Sequence, residues 1–284
     1  MREIVRFQVA AIVGTGLIGG ALGMALRQRG CAQTVIGIDR DPRAAERAVE
    51  RGAADVASTD LGRLAEAEIV FLAVPPEQVV GVARAALGYL RPQTILTDTA
   101  SVKAPIVSAL ERIAPPVRFV GGHPMAGTEG QGIEAAEPGF LRDRPYIVTP
   151  TGFTDREAVH RLVALARAIG MRPVVMQPEV HDRLVALISH LPYLVACAVI
   201  LAAAAEPESL GVGGPAFGEL ARVASSPPAL WAQILRLNRE EVGRALRDLR
   251  GILDQVERRL VEGELEELLE QAQNAAMRAR ERRP

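Results

Sequence analysis

At 284 residues and ~150 residues per domain the chain is expected to hold two domains, and 49% apolar residues is enough for a sizeable core. Its 33 basic and 34 acidic residues nearly cancel, which excludes the electrostatic footprint of a nucleic-acid binder or of a protein held on an anionic membrane. Lys103 is the only lysine, and Cys31 and Cys197 lie far apart without a CxxC or a histidine at ligand spacing, so neither a disulfide framework nor a metal site is expected.

The N-terminal MREIVRFQVAAIVGTG lacks the n-region, h-region and cleavage site of a signal peptide, and a reducing, cytoplasmic location is expected. From Phe7 to Pro150 short apolar runs alternate with amphipathic stretches. The runs are Val9 to Val13, Thr34 to Ile38, Ile69 to Val74, Thr94 to Thr97, Arg118 to Val120 and Tyr146 to Val148, with Pro173 to Met176 as a last edge strand. This rhythm predicts parallel βαβ units in an α/β Rossmann-type doubly wound sheet, assigned to residues 1–178.

The first βα unit reads Ala11-Ile-Val-Gly14-Thr-Gly16-Leu-Ile-Gly19-Gly20. Gly14, Gly16 and Gly19 match GxGxxG between a predicted strand and an amphipathic helix. Asp39 ends the second strand 20 residues beyond Gly19, where a carboxylate accepts ribose hydroxyls. Gly14 allows the tight turn, Gly16 lets the backbone approach a pyrophosphate, and Gly19 permits close helix-to-strand packing. Phosphates then lie on the helix N-terminus, with Leu17, Ile18 and Val74 lining the same site. Asp39 repels a 2′-phosphate and favours NAD, while the adjacent Arg40 could accommodate NADP.

Dinucleotide binding does not name a reaction. Tyr89, Tyr146 and Tyr193 all lack a lysine four residues on, which removes short-chain dehydrogenase chemistry. Three clusters remain. Asp98-Thr-Ala-Ser101-Val-Lys103 follows a predicted strand at the ligand-binding edge; Ser101 is either an active-site hydroxyl or a helix N-cap, and Lys103 reads as an ion-pair partner. Gly121-Gly-His123-Pro-Met-Ala-Gly127-Thr-Glu129-Gly-Gln-Gly132 puts one histidine in a glycine-rich loop, held out of the αR region by Pro124 and expected to be exposed in a cleft.

The third cluster, Glu179-Val-His181-Asp182 through Ser189-His190-Leu-Pro192-Tyr193, opens an all-α domain assigned to residues 179–284. Pro192 removes one helical hydrogen bond and should kink its helix. His181 and His190, nine apart, are expected on opposite sides and so not as a metal pair. The apolar stretch Tyr193 to Ala205 covers 13 residues, short of the ~20 needed to span a bilayer, and is expected as a buried helix. Asn238 and Glu241 supply an N-cap and a capping-box glutamate, and Leu246, Leu249, Leu253, Val256 and Leu260 form one stripe. A helix from there to Ala279 would extend about 60 Å, a length that points to packing on a second chain and a homodimer.

Read in order, GTGLIGGALG, DTASVK, GGHPMAGTEGQG, HDRLVALISHLPY and FGELARVASSPPALWAQILRLN resemble the prephenate/arogenate dehydrogenase family of tyrosine biosynthesis, from the first strand to about Asn238. The resemblance implies a Rossmann domain with a helical dimerisation domain and NAD(P)-dependent oxidative decarboxylation of a cyclohexadienol. By position, His123 resembles the family's catalytic histidine and Ser101 the serine beside it. Arg222 resembles the arginine binding a substrate carboxylate, Glu129 the glutamate closing the site, and Trp231 a tryptophan lining it. Ser189, His190 and Tyr193 fall in its substrate-binding segment. Members often read SHLPH, whereas Tyr193 stands here after Ser-His-Leu-Pro, which leaves prephenate and arogenate both open.

The implied chemistry suits these residue types. As hydride leaves a carbinol carbon its O–H becomes a far stronger acid, and a neutral imidazole can draw off the proton, an effect typically worth ~10²–10⁴-fold. Loss of carbon dioxide then aromatises the ring without a metal, and a guanidinium matches a carboxylate bidentately. A pyrroline-5-carboxylate-reductase-like enzyme would share the architecture but give His123 and Arg222 no task. A 3-hydroxyacid dehydrogenase would need a lysine on the first helix of the helical domain. A non-enzymatic NAD-binding protein would keep the fold alone.

Overall fold

The computed structural model describes residues 5–113, 117–127 and 130–281. In chain order the sheet region holds β1 (Phe7–Val13), α1 (Leu17–Gln28), β2 (Ala32–Ile38), α2 (Pro42–Glu50), β3 (Val56–Ser58), β4 (Ile69–Leu72), α3 (Val79–Leu87), β5 (Ile95–Asp98), α4 (Ala104–Ile113), β6 (Arg118–Pro124), β7 (Pro145–Thr149), α5 (Arg156–Ala168) and β8 (Arg172–Val175). The eight strands form one sheet in the order β3-β2-β1-β4-β5-β6-β7-β8. The order reverses at β1, where doubly wound sheets bind ligands beyond the carboxyl ends of the strands.

The strands are apolar on both faces because helices cover both. Ala10, Ile12, Ile69 and Phe71 pack with α1 and α5, while Ala11, Val13, Val70 and Leu72 pack with α3 and α4. All seven strands expected from apolar runs form, with β8 at the edge; β3, three residues long, escaped because so short a segment shows no period. The expectation of parallel pairing fails at one junction, since β6 and β7 pair antiparallel and β7 and β8 then run parallel to each other. The βαβ rhythm breaks there: no helix of four or more residues is described between β6 and β7.

Past the sheet come α6 (Pro178–Val185), a π turn (Ala186–His190), α7 (Leu191–Ala203), α8 (Pro207–Gly211), α9 (Pro215–Ala224), α10 (Pro228–Leu237), α11 (Arg239–Glu262) and α12 (Leu265–Glu281). Chain contacts divide the protein into two compact units, Met1–Arg239 and Glu240–Pro284.

Three expectations are corrected here. The segment from Pro178 through α7 is one helix of 26 residues, long and apolar enough by length and composition to cross a membrane, so the 13-residue argument understates it. What ties it to the sheet is Asp182, whose carboxylate accepts backbone N–H groups at the start of α4. The irregularity expected at Pro192 takes the form of the π turn just ahead of it, a widened turn that rephases the helix. Finally, the terminal helix does not run unbroken to Ala279. Gly263 at φ 77° ends α11, and Glu264 N donates to Arg259 O at 2.9 Å, a Schellman closure that only a residue tolerant of positive φ accepts cheaply. Within that second unit Leu253, Leu260, Leu269 and Met277 are exposed apolar positions.

Candidate active site

The first βα turn is built by its glycines. Gly14 has φ 93°, and a Cβ on it would run into the Ala73 carbonyl of the neighbouring strand end. A Cβ on Gly19 would meet the Gly14 carbonyl, so α1 sits too close to the turn for any side chain there. Gly16 differs: a Cβ on it would meet nothing within 4 Å, so protein packing does not call for a glycine there. Gly16 is the N-cap of α1 without a side-chain cap, and no acidic residue occupies the first turn. Open space over uncapped N–H groups is what a pyrophosphate would fill.

At the end of β2, Asp39 Oδ2 accepts from Thr15 N at 2.9 Å and from Thr15 Oγ1 at 3.2 Å, and Oδ1 accepts from Asp41 N at 3.1 Å. These bonds hold the carboxylate beside the turn while leaving lone pairs for ribose hydroxyls. Leu17, Ile18 and Val74 are half-buried around it and Arg40 is exposed. The turn therefore fits a dinucleotide.

The second half of the site grows from a mismatch in strand length. β5 ends at Asp98, whereas β6 runs on to Pro124 and is paired there only by β7. The polar backbone groups of Gly122 on the β5 side have lost their ladder partner. Two side chains replace it: Gly122 N donates to Asp98 Oδ1 at 3.2 Å, and Lys103 Nζ donates to Gly122 O at 2.7 Å. Lys103 and Asp98 are themselves ion-paired and fully buried. Burial pulls the lysine's pKa down and the carboxylates of Asp98 and Asp182 push it back up. The expected ion-pair role of Lys103 is thus seen.

His123 lies near the end of β6. It was expected in an exposed loop, but the antiparallel pairing with β7 extends the strand through it, and it is only 8% exposed. Its Nδ1 lies 2.8 Å from His181 Nε2, with the rings edge to face. His123 Nε2 makes no hydrogen bond to a described residue. Burial, followed by the neighbouring His181, Lys103 and His190, holds His123 well below the usual imidazole range.

Ser101 does not cap α4. Asp182 from the helical segment does, accepting from Lys103 N at 2.7 Å and Ala104 N at 2.8 Å, and Ser101 sits half-buried in the preceding turn. His190 is not turned away from His181 as a regular helix would require. The π turn brings both inside, each buried, with Asn238 Nδ2 donating to Asp182 O at 2.8 Å and lying 3.2 Å from His190 Nδ1. His190 Nε2 is a buried ring nitrogen without a partner among the described residues, and burial pushes its pKa down to about 4.

Trp231 links two of the expected residues, Tyr193 and His190. Tyr193 stacks on it at 3.9 Å between ring centres and 4° between planes, and His190 meets it edge to face. Ser189 is half-buried in the π turn. Arg222 lies on α9, paired with Glu219 at 3.0 Å on the helix surface rather than in the buried cluster. Glu129 lies outside the described residues. Among those residues no cluster of metal-binding side chains occurs.

Asp98, His181, Asp182 and Asn238 also belong to this site; the first three stand in the sequence clusters without an assigned site role, and Asn238 was read only as an N-cap. The lone lysine between β5 and α4 was a further pointer. The bonds that join these residues across elements span 24 to 79 residues, beyond any local pattern.

Two family profiles cover most of the chain: "Prephenate dehydrogenase, nucleotide-binding domain" over residues 22–175 and "Prephenate dehydrogenase, dimerization domain" over 177–274. The chain is 33% identical over 241 residues to the prephenate dehydrogenase of Bacillus subtilis, covering 81% of this chain and 64% of that protein, a little under two thirds of its length. It matches arogenate dehydrogenase from Synechocystis at 34% identity and a TM-score of 0.84, over 96% of this chain and 100% of that one. The prephenate dehydrogenase of A. aeolicus, solved in complex with hydroxyphenyl propionate and NAD+, matches at 30% identity and a TM-score of 0.90, over 98% and 99% of the two chains.

Proposed function

Since this chain belongs to the prephenate dehydrogenase family, we propose that it carries out the NAD-dependent oxidative decarboxylation of prephenate to 4-hydroxyphenylpyruvate, a step of tyrosine biosynthesis. The observation that carries the reading is His123: a buried imidazole with one nitrogen held by His181 and the other without a partner among the described residues, at the ligand-binding edge of a sheet whose first turn fits a dinucleotide.

When bound, NAD supplies the hydride acceptor. The uncapped start of α1 at Gly16 holds its pyrophosphate, and Asp39, fixed by Thr15, takes the ribose hydroxyls and disfavours a 2′-phosphate. His123 Nε2 accepts the proton of the substrate's ring hydroxyl as the carbinol carbon becomes a carbonyl carbon. A base whose protonation lies well below the usual imidazole range is fully in its accepting form at neutral pH. Ser101, in the capped turn before α4, orients the same hydroxyl. Arg222 binds a carboxylate, Glu129 closes the site, and Ser189, His190, Tyr193 and Trp231 form the substrate's wall. Carbon dioxide leaves as the ring aromatises, so no residue need act as a nucleophile.

Residues 1–178 hold the cofactor and residues 179–284 the substrate wall and dimer contacts, in keeping with the two matched regions. A second copy of the chain covers exposed apolar positions such as Ile188, Leu201, Leu253 and Leu260, and the enzyme works as a cytoplasmic homodimer.

One observation favours a second substrate. Tyr193 lies flat on Trp231 and adds no cationic group to the wall, which suits arogenate, whose side chain carries its own ammonium. Absorbance at 340 nm on mixing protein and NAD with prephenate, and separately with arogenate, tests both. A rise with prephenate is the expected result, a rise with arogenate alone reverses the substrate assignment, and silence with both removes the enzymatic reading.

A further inference from the structure

The contact between His123 and His181 continues into a carboxylate. His181 Nδ1 lies 2.7 Å from Asp182 Oδ1. That oxygen also accepts the Lys103 N–H at 2.7 Å, and Oδ2 accepts the Ala104 N–H at 2.8 Å. A carboxylate engaged in this way only accepts, so His181 Nδ1 carries a hydrogen. Burial disfavours a charge on His181, although Asp182 pulls the other way, and on His123 every cause acts in that direction. Two neutral imidazoles each have one donor and one acceptor. His181 Nε2 is then the acceptor, His123 Nδ1 is the donor in the 2.8 Å contact, and His123 Nε2 is left with a lone pair and no hydrogen.

We propose that His181 and Asp182 are positioning residues of the reaction, holding His123 in the one tautomer whose Nε2 can take a proton from substrate. The proposal rests on His123 being the base. In the step itself the substrate O–H bond breaks and an Nε2–H bond forms. The Nδ1–H stays bonded to His181 Nε2, and the new positive charge faces a chain that ends on the Asp182 carboxylate. Asp182 also fixes the turn of Ser101 by capping α4, so one carboxylate from the helical segment sets both the tautomer of the base and the place of the hydroxyl beside it.

The chain has four histidines, few enough to resolve individually in a proton–nitrogen correlation spectrum of protein labelled at histidine nitrogens. The ring absent from His123→Asn identifies His123. The expected wild-type signature is Nδ1–H with an unprotonated Nε2. His181→Leu, without an acceptor, should release His123 into a mixture, whereas His181→Gln, whose Oε1 accepts near the position of Nε2, should keep the signature. In kinetics His181→Leu should lower kcat roughly 10–100-fold, as loss of an orienting partner does, with KM little changed, and His181→Gln should recover most of it. In the His123→Asn background the same leucine should have no further effect.

Should His181→Leu not fold, Asp182→Asn reports instead. Its amide donates to His181 Nδ1, reverses the chain and leaves a hydrogen on His123 Nε2, with a matching loss of kcat. An Nε2–H signature in the wild type, an unchanged kcat, or an equal loss in the His123→Asn background would each overturn the proposal. Wild-type turnover in His123→Asn alone removes the base, and the proposal with it, whatever the spectrum shows.

Discussion

Lys103 Nζ donates to the carbonyl of Gly122 at 2.7 Å, one residue before His123, and so supplies from a side chain the hydrogen bond that β5 is too short to give. Lys103→Met should leave Asp98 buried and unpaired, costing about 3–5 kcal/mol in chemical denaturation. The double variant Lys103→Met, Asp98→Asn should lose less than Lys103→Met alone, because no bare charge remains. Equal losses would show that the pair contributes packing rather than charge compensation.

The two glycines of the first turn should behave oppositely. Gly14→Ala meets the Ala73 carbonyl and a φ of 93°, and should lower the melting temperature of the free protein. Gly16→Ala meets no protein atom and should leave that temperature unchanged while weakening NAD binding in calorimetry. Unimpaired NAD binding by Gly16→Ala would move the pyrophosphate elsewhere.

His123→Asn removes the proton acceptor and should lower kcat by ~10²–10⁴-fold with a modest change in KM. Arg222→Ala should act the other way, raising KM for substrate more than it lowers kcat. Steady-state kinetics at saturating NAD separates the two.

Acid should affect both activity and stability through the buried histidines. Because His123 is held well below 6.5, the acid limb of kcat should fall below that pH rather than at it. For stability, His190 has a folded pKa of about 4 against an ordinary 6.5, so between those values the unfolded chain binds more protons. Stability from its burial is fully present above pH 6.5 and is lost as pH falls towards 4, by roughly 3 kcal/mol. Urea midpoints measured from pH 7 to pH 4 should show this loss, and His190→Gln should reduce it, leaving the part that comes from His123 and His181.

The sequence alone was enough for everything that depends on local period and spacing. Seven of the strands, the glycine turn and Asp39 at its 20-residue offset all follow from patterns within about 30 residues, whereas the role of His123 was implied by the family resemblance. Gly263 was locally readable too, as a glycine closing a helix, but the uninterrupted apolar stripe concealed it.

Tertiary structure alone decided what His123 can do. Its burial comes from β7 reversing direction and pairing with the end of β6, a choice that no apolar run encodes. Its partner His181 lies 58 residues away, and the cap of α4 comes from Asp182, 79 residues from Lys103. Periodicity records which face of an element is buried. It does not record which buried faces meet, and the tautomer of a histidine depends on that meeting.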